Sequence, residues 1–247
     1  CERHLDSVTG DEDIMDVISK VEEPILDATG DIYKGSSKQT ELIGQDIDDY
    51  VQYLIDNPSD FAGIPSGFSR FDVAIGGGLR RKCVDLVAAR PKVGKSMFGD
   101  AVAMHVSSEL NIPVLVLDTE MSKKDHHNRM LACLSGVEIN NITTGKFAES
   151  EIDKEKVLAA RDKLKEIPYH YISIAGESFE NILSQMRKWI YQHVGFDDNG
   201  QTKDCLIVYD YLKLMGSEGI SSSMQEYQVL GFQITKLHNF MVKYDAP

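Results

Sequence analysis

Ala89-Arg90-Pro91-Lys92-Val93-Gly94-Lys95-Ser96 follows an apolar run at 84–89 and leads into a helical pattern. That order predicts strand, loop, helix. In such an arrangement the backbone N–H groups of the loop and the positive end of a helix dipole converge on one spot, which suits a phosphate. Lys95 is placed to reach the outer phosphates and the Ser96 hydroxyl to ligate Mg²⁺, so Ala89, Arg90, Pro91, Lys92, Val93, Gly94, Lys95, Ser96 and Met97 form the expected nucleotide cradle. The spacing fits G-x-x-x-x-G-K-[ST] except at its first position, where Ala89 replaces Gly. A helix over 97–110 should bury Phe98, Ala101, Val102 and Val106 on one face.

A chain of 247 residues has room for one α/β domain and an appendage. Its net charge of −13 is unevenly placed: residues 1–62 carry 16 Asp+Glu against 4 Lys+Arg, and the remainder is close to neutral. The acidity therefore belongs to a leader, and composition neither requires nor forbids a nucleic-acid partner. Cysteines at 1, 83, 133 and 205 have no metal-ligand spacing, and buried reduced thiols are expected, which points to a cytoplasmic protein. No run of about 18 apolar residues or signal-peptide pattern occurs, so no membrane partner is expected.

In chain order, Ile14, Val17, Ile18, Val21 and Ile25 draw an apolar stripe along an acidic helix at 11–28. Two readings compete for it: packing on its own domain, or docking on a neighbouring subunit. Residues 30–38 read as a linker and 41–57 as a second short helix. Beyond the phosphate loop, Val114-Leu115-Val116-Leu117 is a buried strand running into Asp118-Thr119-Glu120-Met121. An acid at the carboxyl end of a parallel strand faces the crevice where such sheets bind ligands, so Glu120 is the candidate to orient and deprotonate the water that attacks a γ-phosphate. The competing role is a helix N-cap or surface acid.

Helices at 152–167 and 179–193, with a strand at 169–174 between them, continue the alternation of a parallel sheet covered on both faces, and Trp189 falls on an apolar stripe as a core anchor. Residues 195–204 form a polar, turn-rich insertion. Cys205-Leu206-Ile207-Val208-Tyr209-Asp210 is a strand ending in an acid, which suits Asp210 to organise Mg²⁺ together with Ser96. A helix is expected over 225–242.

These segments together resemble the motor of DnaB-type replicative helicases. The passage Gly63-Ile64-Pro65-Ser66-Gly67-Phe68, then Gly76-Gly77-Gly78-Leu79, is similar to that family's entry to its core, and Ala89-Arg90-Pro91 is the family's usual start to its phosphate loop. Glu120-Met121 with Arg129 at its spacing resembles the helicase "L-E-M" segment, and Thr144-Gly145-Lys146-Phe147 a later family turn; Asp118 and Thr119 depart from the pattern. Asp210-Tyr211-Leu212-Lys213-Leu214-Met215 resembles "D-Y-L-Q-L-M", with Tyr209 in place of the usual Val.

The resemblance implies a RecA-like P-loop NTPase fold with a mostly parallel central sheet flanked by helices over 63–247, preceded by an acidic leader with a linker helix over 1–62. It implies ATP or another NTP with Mg²⁺, Glu120 and Lys95 as catalytic residues, and translocation on single-stranded DNA within a hexameric ring gripped through the linker helix. Primase and a helicase loader are further expected partners. Gly216, Ser217, Gly219, Ser221, Ser222 and Ser223 correspond to the loop that lines the ring's channel and holds the DNA backbone. The family's sensor residue and arginine finger are expected past Pro247, so this stretch by itself should turn over nucleotide poorly. Two alternatives stay open: a recombinase-type or KaiC-like ATPase, and an assembly module that binds nucleotide without hydrolysing it.

Overall fold

The run Val-Leu-Val-Leu-Asp at Val114–Asp118 forms strand β1 of the computed structural model, which describes residues 42–59, 61–198, 200–212 and 225–246. All five β1 residues are buried, because a parallel strand with a neighbour on each edge and helices on each face has no wet side. Tyr169–Ser173 (β2) and Leu206–Asp210 (β3) pair with it in parallel, giving the order β2-β1-β3. The register sets Asp118 opposite Ser173 on one side and Asp210 on the other. Both acidic strand ends therefore emerge at one level of the sheet.

Alternation along β1 divides the core. Leu115 and Leu117 face a cluster with Phe179, Ile182, Met186 and Trp189, whereas Val114 and Val116 face one with Val102, Ala103, Val106 and Leu206. Each fully buried Val or Leu contributes about 1.5–3 kcal/mol relative to exposure, so the central strand is strongly specified on both faces.

Among the described residues three helices precede β1: α1 at Ile47–Asp56, α2 at Ser69–Ala74 and α3 at Lys95–Ser108. Between β1 and β2 run α4 (Lys123–Ser135), α5 (Ile139–Thr144) and α6 (Glu151–Glu166), which share a small core of Val137, Ile142 and Val157. Reciprocal hydrogen bonds between Ser122 and Asp125 fix the start of α4, and Pro168 follows the end of α6 as a break. α7 (Phe179–Trp189) leads to β3 through a π-helical turn at Ile190–Val194, and α8 covers Glu226–Tyr244. Trp189 is 4% exposed and belongs to the core.

The entry passage closes on itself: Ile64 and Leu79 exchange backbone hydrogen bonds, and buried Asp72 accepts from the Ser66 N–H. Farther on, Arg81 gathers distant chain. Its Nη1 donates to the carbonyls of Thr202 and Asp245 at 2.7 Å each, its Nη2 pairs with Asp204, and the Lys82 N–H donates to the Ala246 carbonyl. The insertion at 195–204 is thereby drawn into the fold, closing as a bridge between Phe196 and Thr202.

Several expectations are corrected. Residues 84–89 do not form a strand. Leu86 is 65% and Val87 42% exposed, and this segment and β3 both line an apolar cavity of about 470 Å³. A run apolar on both faces needs covering on both sides to be held as a strand, and the described residues do not cover it. Of the thiols expected to be buried, Cys205 is; Cys83 and Cys133 are exposed, the first because it enters the unpaired segment. The helix expected at 41–57 is shorter, Ile47–Asp56. The helix at 11–28, the linker at 30–38 and the loop at 216–223 lie outside the described residues. No helix among the described residues is long and apolar enough to cross a membrane.

Candidate nucleotide site

Gly94 is the N-cap of α3 with φ 111°, a left-handed conformation that costs a side-chain-bearing residue strain and glycine very little. It turns the chain so that Lys95 and Ser96 open the helix. No side chain caps this end and no acid stands in its first turn, so the backbone donors there remain available to an anion. One turn later Gly99 shares a face with Lys95, and a Cβ at Gly99 would meet Val208 Cγ1 at 3.4 Å. That close approach lays α3 against β3 and carries Lys95 to the strand's acidic end.

There Lys95 Nζ lies 2.6 Å from Asp210 Oδ1 and 4.0 Å from the centroid of the Tyr211 ring. The Tyr211 hydroxyl donates to Glu120 Oε1 at 3.0 Å, and this bond raises the pKa of the phenol. The structure thus brings together Lys95, Asp210 and Glu120, three residues from three different segments, with Tyr211 among them. Ser96 is half-buried beside Lys95, whereas Arg90, Pro91, Lys92, Val93 and Met97 are exposed along the loop and its exit, as is Ala89 before it.

Glu120 sits on a tightly held turn. Asp118 Oδ1 accepts the N–H groups of Glu120 at 2.6 Å and Met121 at 2.7 Å, while Oδ2 meets His126 Nε2 at 3.0 Å. An ionised carboxylate only accepts, so Nε2 carries the imidazole proton in this contact. His126 Nδ1 faces Asp100 Oδ1 of α3 at 3.8 Å, and Arg129 Nη1 donates to Asp100 Oδ2 at 2.9 Å. Burial raises the Asp100 pKa, and the Arg129 hydrogen bond works against that rise. The Tyr171 hydroxyl donates to the Met121 carbonyl at 2.6 Å, and its ring packs on His126 with centroids 4.5 Å apart.

Sequence reasoning found Lys95, Ser96, Glu120 and Asp210 but gave Asp100, Asp118 and His126 no role. Two signals were available: Asp100 is four residues past Ser96, hence on the same helix face, and Asp118 departs from the helicase pattern beside the candidate base.

Comparison with known proteins bears on this arrangement. The DnaB-like helicase C terminal domain family matches residues 63–239. The replicative DNA helicase DnaB of Geobacillus stearothermophilus is 25% identical over 224 residues, which covers 91% of this chain and 47% of that relative. A solved structure of an ATPase domain superposes with a TM-score of 0.71 at 20% identity, covering 84% of this chain and 69% of that one. A DnaB-like replicative helicase whose structure was solved together with its interactions with primase gives a TM-score of 0.68 at 20% identity, over 99% of this chain and 54% of that one. The chain spans about half the length of the curated relative it matches along most of its own.

Proposed function

We propose, from the premise that the chain belongs to the DnaB-like helicase C-terminal domain family, that it is the motor of a replicative helicase, hydrolysing a nucleoside triphosphate to move along single-stranded DNA. The observation that carries this reading is the meeting of Lys95, Asp210 and Glu120 at the start of α3 and the ends of β3 and β1. Lys95 would neutralise the outer phosphates, and Glu120 would take the proton of the attacking water. Ser96 and Asp210 supply the oxygen donors that Mg²⁺ prefers and would hold the ion, which when bound contributes charge neutralisation at the phosphates. The loop from Ala89 to Met97 would supply the remaining phosphate contacts.

Gly216, Ser217, Gly219, Ser221, Ser222 and Ser223 would contact the DNA backbone through N–H and hydroxyl groups, which grip phosphates without reading sequence. We take 63–247 as the motor and 1–62 as the leader. Within that leader α1 exposes Ile47, Tyr50, Val51 and Leu54, spaced i, i+3, i+4 and i+7. Such a face suits a subunit-to-subunit contact, and α1 joins the helix expected at 11–28 as a candidate grip in a ring, with primase and a loader as further partners.

The test is hydrolysis and strand separation by the intact protein on a forked DNA substrate. ATPase activity should rise on adding single-stranded DNA, and Val51→Asp with Leu54→Asp should shift the protein to smaller species in sedimentation velocity. Nucleotide binding with neither hydrolysis nor unwinding would favour the assembly-module reading.

A further inference from the structure

We propose that Asp118 and His126 are positioning residues for Glu120, holding its backbone in place and tying it to the phosphate-loop helix through Asp100 and Arg129. The proposal rests on the reading of Glu120 as the base. Asp118 is 2% exposed and His126 3%, so neither is placed to meet solvent or substrate directly. A buried carboxylate is costly unless its oxygens are used, and Asp118 uses both: two backbone N–H groups on Oδ1 and an imidazole N–H on Oδ2. Those two N–H groups belong to Glu120 and its neighbour Met121.

An Asp at a strand end often caps the next turn and does nothing further. Here the cap is itself held from behind. His126 comes from α4, its second nitrogen faces α3, and Arg129, one turn along α4, binds the same Asp100. Tyr171 of β2 closes the other side, donating to the Met121 carbonyl and packing its ring on His126. The turn is fixed from three elements, which leaves Glu120 chiefly its own χ angles as freedom. Because Asp100 lies on the helix that opens with Lys95 and Ser96, the base and the phosphate loop are registered to each other through α4, whose His126 holds Asp118 and whose Arg129 holds Asp100.

The experiment measures kcat, KM, nucleotide affinity and melting temperature in the intact protein for four variants. In His126→Leu the Asp118 oxygen loses its donor, and kcat should fall at least ~10-fold while affinity for a fluorescent ADP analogue stays within about twofold, since small displacements of a catalytic group cost up to ~100-fold. His126→Gln can place an amide N–H where Nε2 stood and should recover most of that loss. Glu120→Gln, run in parallel, decides the underlying reading. A wild-type rate there removes the base and this proposal with it. A folded His126→Leu that keeps the wild-type kcat while Glu120→Gln is inactive overturns the positioning role alone, as does a kcat loss that Gln fails to recover. Should His126→Leu not fold, Asp118→Ala serves: with no acceptor left for either N–H the turn is released, so kcat should fall at least ~10-fold with affinity for the ADP analogue within about twofold, and a folded Asp118→Ala at the wild-type rate overturns the positioning role.

Discussion

The phosphate loop and the acid turn face each other across the ends of β3 and β1, and they are built by opposite means. On the loop side Val93 is 72% and Met97 58% exposed, the preceding segment pairs with no strand among the described residues, and a left-handed glycine provides the shape. On the acid side Asp118 and His126 are almost wholly buried, and the turn at Glu120 and Met121 is bonded to Asp118 and Tyr171. A loop that must wrap polyphosphate gains from backbone donors left unspent, whereas a base needs to be in place before its water arrives. The two sides divide the labour of adaptability and order.

That contrast can be broken or sharpened by substitution. The largest effect is expected on the loop side, at a single half-buried charge: Lys95→Ala should abolish turnover and weaken ATP binding at least ~10-fold by calorimetry, the scale of a charge-assisted hydrogen bond, with melting unchanged. Unaltered ATP affinity would end the phosphate-loop assignment. On the acid side Glu120→Gln should bind ATP normally and hydrolyse it ~100-fold or more slowly, because the amide preserves shape and removes the proton acceptor. Wild-type hydrolysis would move the base elsewhere. Tyr211→Phe tests the contact between the sides. It removes one exposed hydrogen bond to Glu120 and keeps the ring under Lys95, so single-turnover hydrolysis should drop about threefold with affinity constant. A faster rate would show the hydroxyl restraining Glu120 instead of orienting it.

What sequence could reveal followed the same division. β1, β3, α3 and α7 are readable because a buried parallel strand is a bare apolar run and an amphipathic helix keeps its period whatever surrounds it. Lys95 and Asp210 were legible as a motif and a strand end. Residues 84–89 look no different from β1 in composition, yet pairing depends on neighbours that composition does not display. The Asp118–His126–Asp100 chain was illegible for a related reason: its members lie eight and 18 residues from Asp118, on α4 and α3, and only the packing of those helices on β1 gives them a common purpose. His126 taken singly is one more histidine on a charged helix.

The Arg81 clamp has a mechanical meaning. α8 begins just past the stretch read as the DNA contact, and its far end is stitched by Arg81 and Lys82 to the residues that enter the phosphate-loop segment. A helix of 19 residues is about 28 Å of stiff rod. A tug delivered at one end of that rod must either drag the root of the phosphate loop along or tear guanidinium and amide from the carbonyls of Asp245 and Ala246, so the polypeptide possesses a drive shaft whose coupling is two residues wide.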